Sequence, residues 1–188
     1  MVILIGGSSH VGKTLLAQKM MEKYHWPYLS LDHLKMGLIR SGLTDLTVED
    51  DYEMRYYLFP IASEMIKTAI ENRQNLIVEG CYIPGEWREQ FTEEYLRDIR
   101  CVFLVMSEGY LRANFDKVRD EASVIEQRLC DHPDLERLIY CSDNFRLDCE
   151  KFNIPCLEID GDYNIAKILS RAETLLGLNT EKIGDCHE

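Results

Sequence analysis

The chain is poor in positive charge. Lysine and arginine total 21 against 33 aspartates and glutamates, a formal net charge of −12 over 188 residues. Such a surface repels polyanions, which argues against nucleic acid or an anionic membrane as a main partner. Long apolar runs are missing as well. No stretch approaches the ~18 residues that a membrane span requires, and the first apolar run, Val2 to Ile5, reads as a strand rather than a signal peptide. None of the seven cysteines (81, 101, 130, 141, 149, 156 and 186) forms a C-x-x-C pair. Cys101 and Cys156 lie in apolar, strand-like runs and read as small buried hydrophobes in a reducing cytoplasm, not as metal ligands or nucleophiles. His33, His132 and His187 share no metal-ligand spacing, so no zinc site is expected. Repeats, low-complexity tracts and linkers are absent from the sequence. One domain over 1–188, soluble and cytoplasmic, monomeric or homodimeric, is the expectation.

What is present begins at the seventh residue. Gly7, Ser8, Ser9, His10, Val11, Gly12, Lys13 and Thr14 spell G-x-x-x-x-G-K-[ST], with Leu15 next. The apolar run Val2–Ile5 precedes this loop, and Leu15, Leu16, Ala17, Met20 and Met21 follow at helical spacing. A glycine-rich turn from a buried strand into a helix aims backbone amides at an anion, as phosphate-binding loops do. Lys13 then reaches β- and γ-phosphates, and the Thr14 hydroxyl ligates Mg²⁺. His10 occupies a central position of the loop, where the backbone does the binding.

Further along, Tyr28–Leu31, Asn75–Glu79, Ile99–Met106 and Pro155–Ile159 read as strands. Helices are expected at about 33–40, 50–72, 86–96, 108–152 and 164–176. Pro60 should kink the second of these or split it in two, and a break is expected near His132-Pro133. Alternation of strand and helix predicts an α/β fold with a parallel sheet covered on both faces.

Ligands of such sheets bind beyond the carboxyl ends of the strands. Asp32 and Glu79 stand at two of those ends. Each suits Mg²⁺ held through water or acceptance of a proton from a hydroxyl, and Asp32 serves equally as the cap of the helix from His33. Arg112, Lys117, Arg119 and Arg128 cluster after the fourth strand, where a closing lid would carry at least one arginine to the phosphates. Arg112 and Arg119, seven apart, are expected on one helix face, with Glu108 or Asp116 as ordinary ion-pair partners. Arg40 and Arg55 are positioned to grip an anionic group on an acceptor; Arg137 and Arg146 have weaker claims. Trp26, Trp87, Tyr52, Tyr56 and Tyr57 are expected in core or lid packing. The loop Gly161–Asn164 is a candidate nucleobase platform.

With these residues assembled, the chain resembles the small P-loop kinases of metabolites and nucleotides, the group holding adenylate, shikimate and gluconate kinases. G-G-S-S-H-V-G-K-T at 6–14 and I-V-E-G-C-Y-I-P at 77–84 are most similar to the 2-phosphoglycerate-kinase-like proteins. The resemblance spans about residues 1–176. It implies a three-layer fold with a five-stranded parallel sheet of order 2-3-1-4-5, a substrate clamp at about 33–73, a lid at about 112–134 and a loose tail at 178–188. Lys13 and Thr14 would then serve ATP·Mg²⁺, Asp32 the acceptor hydroxyl, and Arg112 and Arg119 the lid. Glu79 takes the place of a frequent Asp, with Gly80 following as in the family. Arg40 and Arg55 match substrate-side arginines by position. The patterned substrate motifs of shikimate and adenylate kinases are absent. The expected activity is ATP-dependent phosphorylation of a small intracellular metabolite. A nucleotide or nucleotide-sugar acceptor is one alternative; the other is a slow NTPase that works as a switch with a protein partner.

Overall fold

A computed structural model describes residues 1–120 and 134–178. Five strands form one sheet: β1 (Val2–Gly7), β2 (Tyr28–Ser30), β3 (Leu76–Glu79), β4 (Ile99–Met106) and β5 (Cys156–Ile159). All pairings are parallel, in the order β2-β3-β1-β4-β5, as the resemblance implied. Between the strands run α1 (Lys13–Tyr24), α2 (Leu31–Ser41), α3 (Asp51–Glu71), α4 (Glu93–Leu96), α5 (Glu108–Asp120) and α6 (Leu135–Phe152), and α7 (Ile165–Leu176) follows β5.

Alternate strand residues feed opposite faces. Ile3, Ile5, Val102, Leu104 and Leu157 pack with Leu16, Ala17 and Met20 of α1 and Ile168, Ala172 and Leu176 of α7. Val2, Leu4, Val78, Phe103 and Val105 face Met54, Leu58, Phe59 and Ile66 of α3 on the other side. Helix α6 feeds both layers, with Leu138 and Ile139 in the first and Phe145 and Cys149 in the second. A fully buried Leu, Ile or Phe contributes about 1.5–3 kcal/mol against exposure, so the two layers supply most of the drive to fold.

Several boundaries depart from the sequence-based expectation. β1 continues two residues past Ile5, because Gly6 and Gly7 still pair with Phe103 and Leu104 of the long strand β4. α3 is one continuous helix through Pro60 rather than two, and the Ser63 hydroxyl donates to the Pro60 carbonyl at 2.8 Å. The expected helix at 86–96 is two pieces, a 3₁₀ turn at Trp87–Gln90 and then α4. Phe91 separates them in extended conformation, which sends its buried ring edge-on against Phe59 and Trp87. Within α5, Asn114 leaves helical geometry (φ −127°, ψ 18°), so Arg112 and Arg119 do not share one continuous helix face. The break expected at His132-Pro133, Arg128, most of the expected lid and nearly all of the tail lie outside the described residues.

Phe103 fills the space left by the missing side chain of Gly6 and stacks edge-on against Phe145, centroids 5.6 Å apart. Replacing it opens a cavity beneath the loop that follows β1. Phe103→Ala should cost about 3–5 kcal/mol, read as a lower urea midpoint with an unchanged slope.

Candidate phosphate and acceptor site

The loop after β1 takes its shape from the sheet beside it. Gly7 has φ of +124°, and a Cβ there would collide with the backbone of Leu104. The Ser8 amide then donates to the Leu104 carbonyl at 3.1 Å. From α6, the Ser142 hydroxyl meets the Ser8 hydroxyl at 2.9 Å, both residues buried. His10 and Gly12 adopt left-handed backbone, with φ of 63° and 87°. At Gly12 a side chain would also run into the Tyr163 hydroxyl. Tyr163, from the expected nucleobase-platform loop, thus lies directly over the phosphate loop. The turn delivers Lys13 as first residue of α1, where the first amides of the helix have no carbonyl partners within it. Those amides and the positive helix end form an anion site. Val11 is buried beneath the loop; Ser9 and Leu15 are half-buried beside it.

The Lys13 side chain is 7% exposed and its ammonium donates to the Ser8 carbonyl at 2.7 Å. A lysine buried this far costs free energy unless it is hydrogen-bonded, and the loop carbonyl provides that bond. Across the strand ends, Ile5 is level with Glu79, and the Gly80 amide donates to the Ile5 carbonyl at 3.1 Å. This register sets the fully buried Glu79 carboxylate 3.3 Å from the Thr14 hydroxyl. An all-oxygen pair of this kind suits a hard divalent cation such as Mg²⁺.

Asp32 lies two residues further in than the cap position expected of it. β2 stops at Ser30, which holds the N-cap position, and Asp32 is half-buried in the first turn of α2. Its charge acts on Cys81 and Tyr82. Burial, and Asp32 after it, push the Cys81 thiol up to about 11, while Lys13 and Arg55 pull the other way. Cys141 on α6 is also raised by burial, against the pull of Arg137, Arg55 and Lys13. Ser30 of β2 is level with Glu79 of β3, so Asp32, two residues on, enters α2 beside the end of β3.

The arginines divide. Arg55 on α3 lies 5.0 Å from the Phe145 ring centroid. Arg40 is exposed in the last turn of α2, eight residues and about 12 Å along the helix from Asp32. Arg112 pairs with Glu108 (2.8 Å) and Glu136 (2.9 Å), and Arg119 with Asp116 and Asp120, both at 3.0 Å. Arg146 pairs with Asp143 at 2.7 Å. Trp26 and Trp87 are buried as expected, whereas Tyr52, Tyr56 and Tyr57 are exposed on the outer side of α3.

One group escaped the sequence reading. The Lys35 ammonium, 7% exposed, donates to Asp51 Oδ1 (2.9 Å) and to the Tyr82 hydroxyl (2.5 Å). Tyr82 in turn donates to the same Asp51 oxygen at 2.8 Å, and Arg137 Nη2 reaches Asp51 Oδ2 at 3.3 Å. A signal existed, because Lys35 falls four residues after buried Leu31, on the inward stripe of α2.

No family model and no curated protein sequence matches the chain. Solved structures do. A gluconokinase from Sinorhizobium meliloti 1021 superposes with a TM-score of 0.55 at 16% identity, over 94% of this chain and 91% of that one. A sugar kinase from Janibacter sp. HTCC2649 gives 0.60 at 14% identity, over 98% of both chains. Shikimate kinase from Aquifex aeolicus gives 0.52 at 17% identity, over 98% and 99%. The fold is that of the small-molecule P-loop kinases. Identities this low carry the architecture and leave the chemistry to the site.

Tyr82 bridges a buried ammonium and a carboxylate, so its hydroxyl is under unusual demand. Tyr82→Phe should lower stability by about 1.5–3 kcal/mol in urea unfolding. Burial, with Cys81, Asp32 and Asp51 after it, pushes the Tyr82 hydroxyl far above its ordinary range. Burial and Glu173 also raise Tyr24, and the bond to Tyr52 raises Tyr56 to about 12, so the native protein should show at least three fewer ionising tyrosines than its unfolded form when absorbance at 295 nm is followed to pH 11, and Tyr82→Phe should leave the native count unchanged.

Proposed function

We propose that the protein is an ATP-dependent phosphotransferase acting on a small intracellular metabolite. The observation that carries this reading is the Lys13–Thr14–Glu79 constellation, with a second carboxylate, Asp32, two residues beyond Ser30, the β2 residue level with Glu79.

Each residue then has a task. Lys13 would leave the Ser8 carbonyl for the terminal phosphates, so an ammonium already desolvated is transferred rather than newly buried. The α1 amides hold the remaining phosphate oxygens. Thr14 and Glu79 would hold Mg²⁺, Glu79 directly or through water; the cation would neutralise charge on the transferring group. Tyr163 over Gly12 is placed to cover the nucleotide. Asp32 takes the acceptor's proton as base. Bound ATP supplies the γ-phosphoryl group: the acceptor oxygen forms a new O–P bond as the β,γ-bridging bond breaks, leaving ADP. Arg112 and Arg119 remain candidates for closure over the phosphates, which would require exchange of their carboxylate partners. Arg40 is a candidate for the outer rim of the acceptor cleft.

The proposed setting is the reducing cytoplasm, with the small acceptor as the partner and no nucleic acid or membrane. No helix among the described residues is long and apolar enough to cross a membrane.

The test is ADP release from ATP·Mg²⁺ across a panel of sugars, polyols, sugar acids, phospho-acids, nucleosides and nucleotides. Turnover stimulated by one acceptor class is expected, and Lys13→Ala should reduce it by about 10²–10³-fold with its circular dichroism unchanged. Full turnover by that variant would reject the proposal. Asp32→Asn should lower kcat by about 10²–10⁴-fold while leaving ATP binding intact; an unchanged kcat removes Asp32 from the chemistry.

A further inference from the structure

A cavity of about 270 Å³ opens at the end of the sheet away from the phosphate loop. It lies against Ile99, Arg100 and Cys101, the first residues of β4 after the turn, and Pro155, which precedes β5. Trp87, Leu96 and Leu176 complete an apolar wall. The phosphate loop leaves β1 level with Leu104 of β4. Cys101 stands three residues before Leu104, about 10 Å back along that strand. The volume falls near the lower end of the range for small-molecule pockets.

The charged groups lining this cavity are two guanidiniums, Arg88 and Arg100, and no aspartate or glutamate lines it. Arg88 donates to the carbonyls of Phe152 (2.8 Å) and Asn153 (3.4 Å) at the end of α6, and lies 4.7 Å from the Trp87 ring centroid. Arg100 donates through Nη1 to the carbonyls of Arg97 (2.9 Å) and Ile99 (3.0 Å). Neither has a carboxylate partner among the described residues, whereas Arg112, Arg119, Arg137 and Arg146 each have one. A guanidinium carries five N–H donors, so both keep donors beyond the bonds they make. The Cys101 thiol brings no negative charge, because burial raises it well above the usual range against the pull of Arg88. Trp87 Nε1 is buried with no hydrogen-bond acceptor, and an unpaired buried donor is costly. In a chain of net charge −12, two arginines without carboxylates meet here at one apolar wall.

We propose that this cavity is a binding site for a small organic anion, with a carboxylate or phosphate head held by Arg88 and Arg100 and an apolar body against Trp87, Leu96 and Leu176. The planar fork of a guanidinium matches such a head, and the indole and leucines take a ring or branched hydrocarbon. The site is separate from the phosphate loop and stands whether or not the protein transfers phosphate.

Calorimetric titration with phenylacetate, phenyl phosphate and the neutral phenylethanol tests this. At least one of the anions should bind about tenfold or more tightly than the alcohol, and whichever binds identifies the head. Arg100→Gln, at an exposed position, should weaken that anion by about tenfold, while Lys13→Ala should leave its Kd unchanged. In Trp26→Phe, where Trp87 is the one remaining indole, the emission should titrate with the same Kd. No saturable binding of either anion, or an alcohol that binds as tightly, overturns the proposal. So does an anion whose Kd is indifferent to Arg100→Gln; if Lys13→Ala abolishes its binding, the anion occupies the phosphate loop instead. A calorimetric isotherm with flat Trp87 emission also overturns it. Should Trp26→Phe fail to fold, Arg100→Gln and Lys13→Ala decide alone.

Discussion

Everything in the site hangs on how β1 leaves the sheet. Gly7 must turn with φ of +124° directly against the Leu104 backbone, where no side chain fits. The Ser8 amide then continues the pairing with β4 by one last bond. That close approach fixes the first residue of the loop, and the loop fixes where α1 begins. Because β1 also pairs with β3 in register, the same departure point sets Thr14 opposite Glu79. The phosphate loop and its carboxylate are thus two consequences of one strand flanked by two others. The two glycines and the long partner strand β4 are the sequence's contribution to that arrangement.

The two halves of the site obey different electrostatics. On the phosphate side, helix amides and Lys13 offer positive potential with only a backbone carbonyl to satisfy the ammonium, a state ready to exchange for phosphate. Beside the segment after β3, buried Lys35 and exposed Arg137 are both paired with Asp51. In a chain with net charge −12, positive potential is concentrated at one helix end and one lysine.

Much of this was legible in the sequence, for identifiable reasons. The loop, the strand before it and the helix after it form a contiguous pattern, so local rules sufficed. Glu79 could be read because it ends an apolar strand. The pairing that reaches from Lys35 to Asp51, Tyr82 and Arg137 joins residues up to 102 positions apart and has no local signature. A lysine on an inward helix stripe and a tyrosine after a strand each pass as ordinary until the fold brings them together. Pro60 does not split α3, because packing of Leu58, Phe59 and Ala62 against the sheet holds the helix together where propensity alone would break it. Tyr52, Tyr56 and Tyr57 look like core by composition, but helix phase turns them outward.

The most direct measurement is a crystal structure with a non-hydrolysable ATP analogue and Mg²⁺. The central claim requires Lys13 Nζ to have left the Ser8 carbonyl for the β- and γ-phosphates. The Thr14 hydroxyl should ligate the cation, with Glu79 bound to it directly or through one water. Polyphosphate bound elsewhere, or a Lys13 still held by Ser8 with the analogue present, would contradict the account.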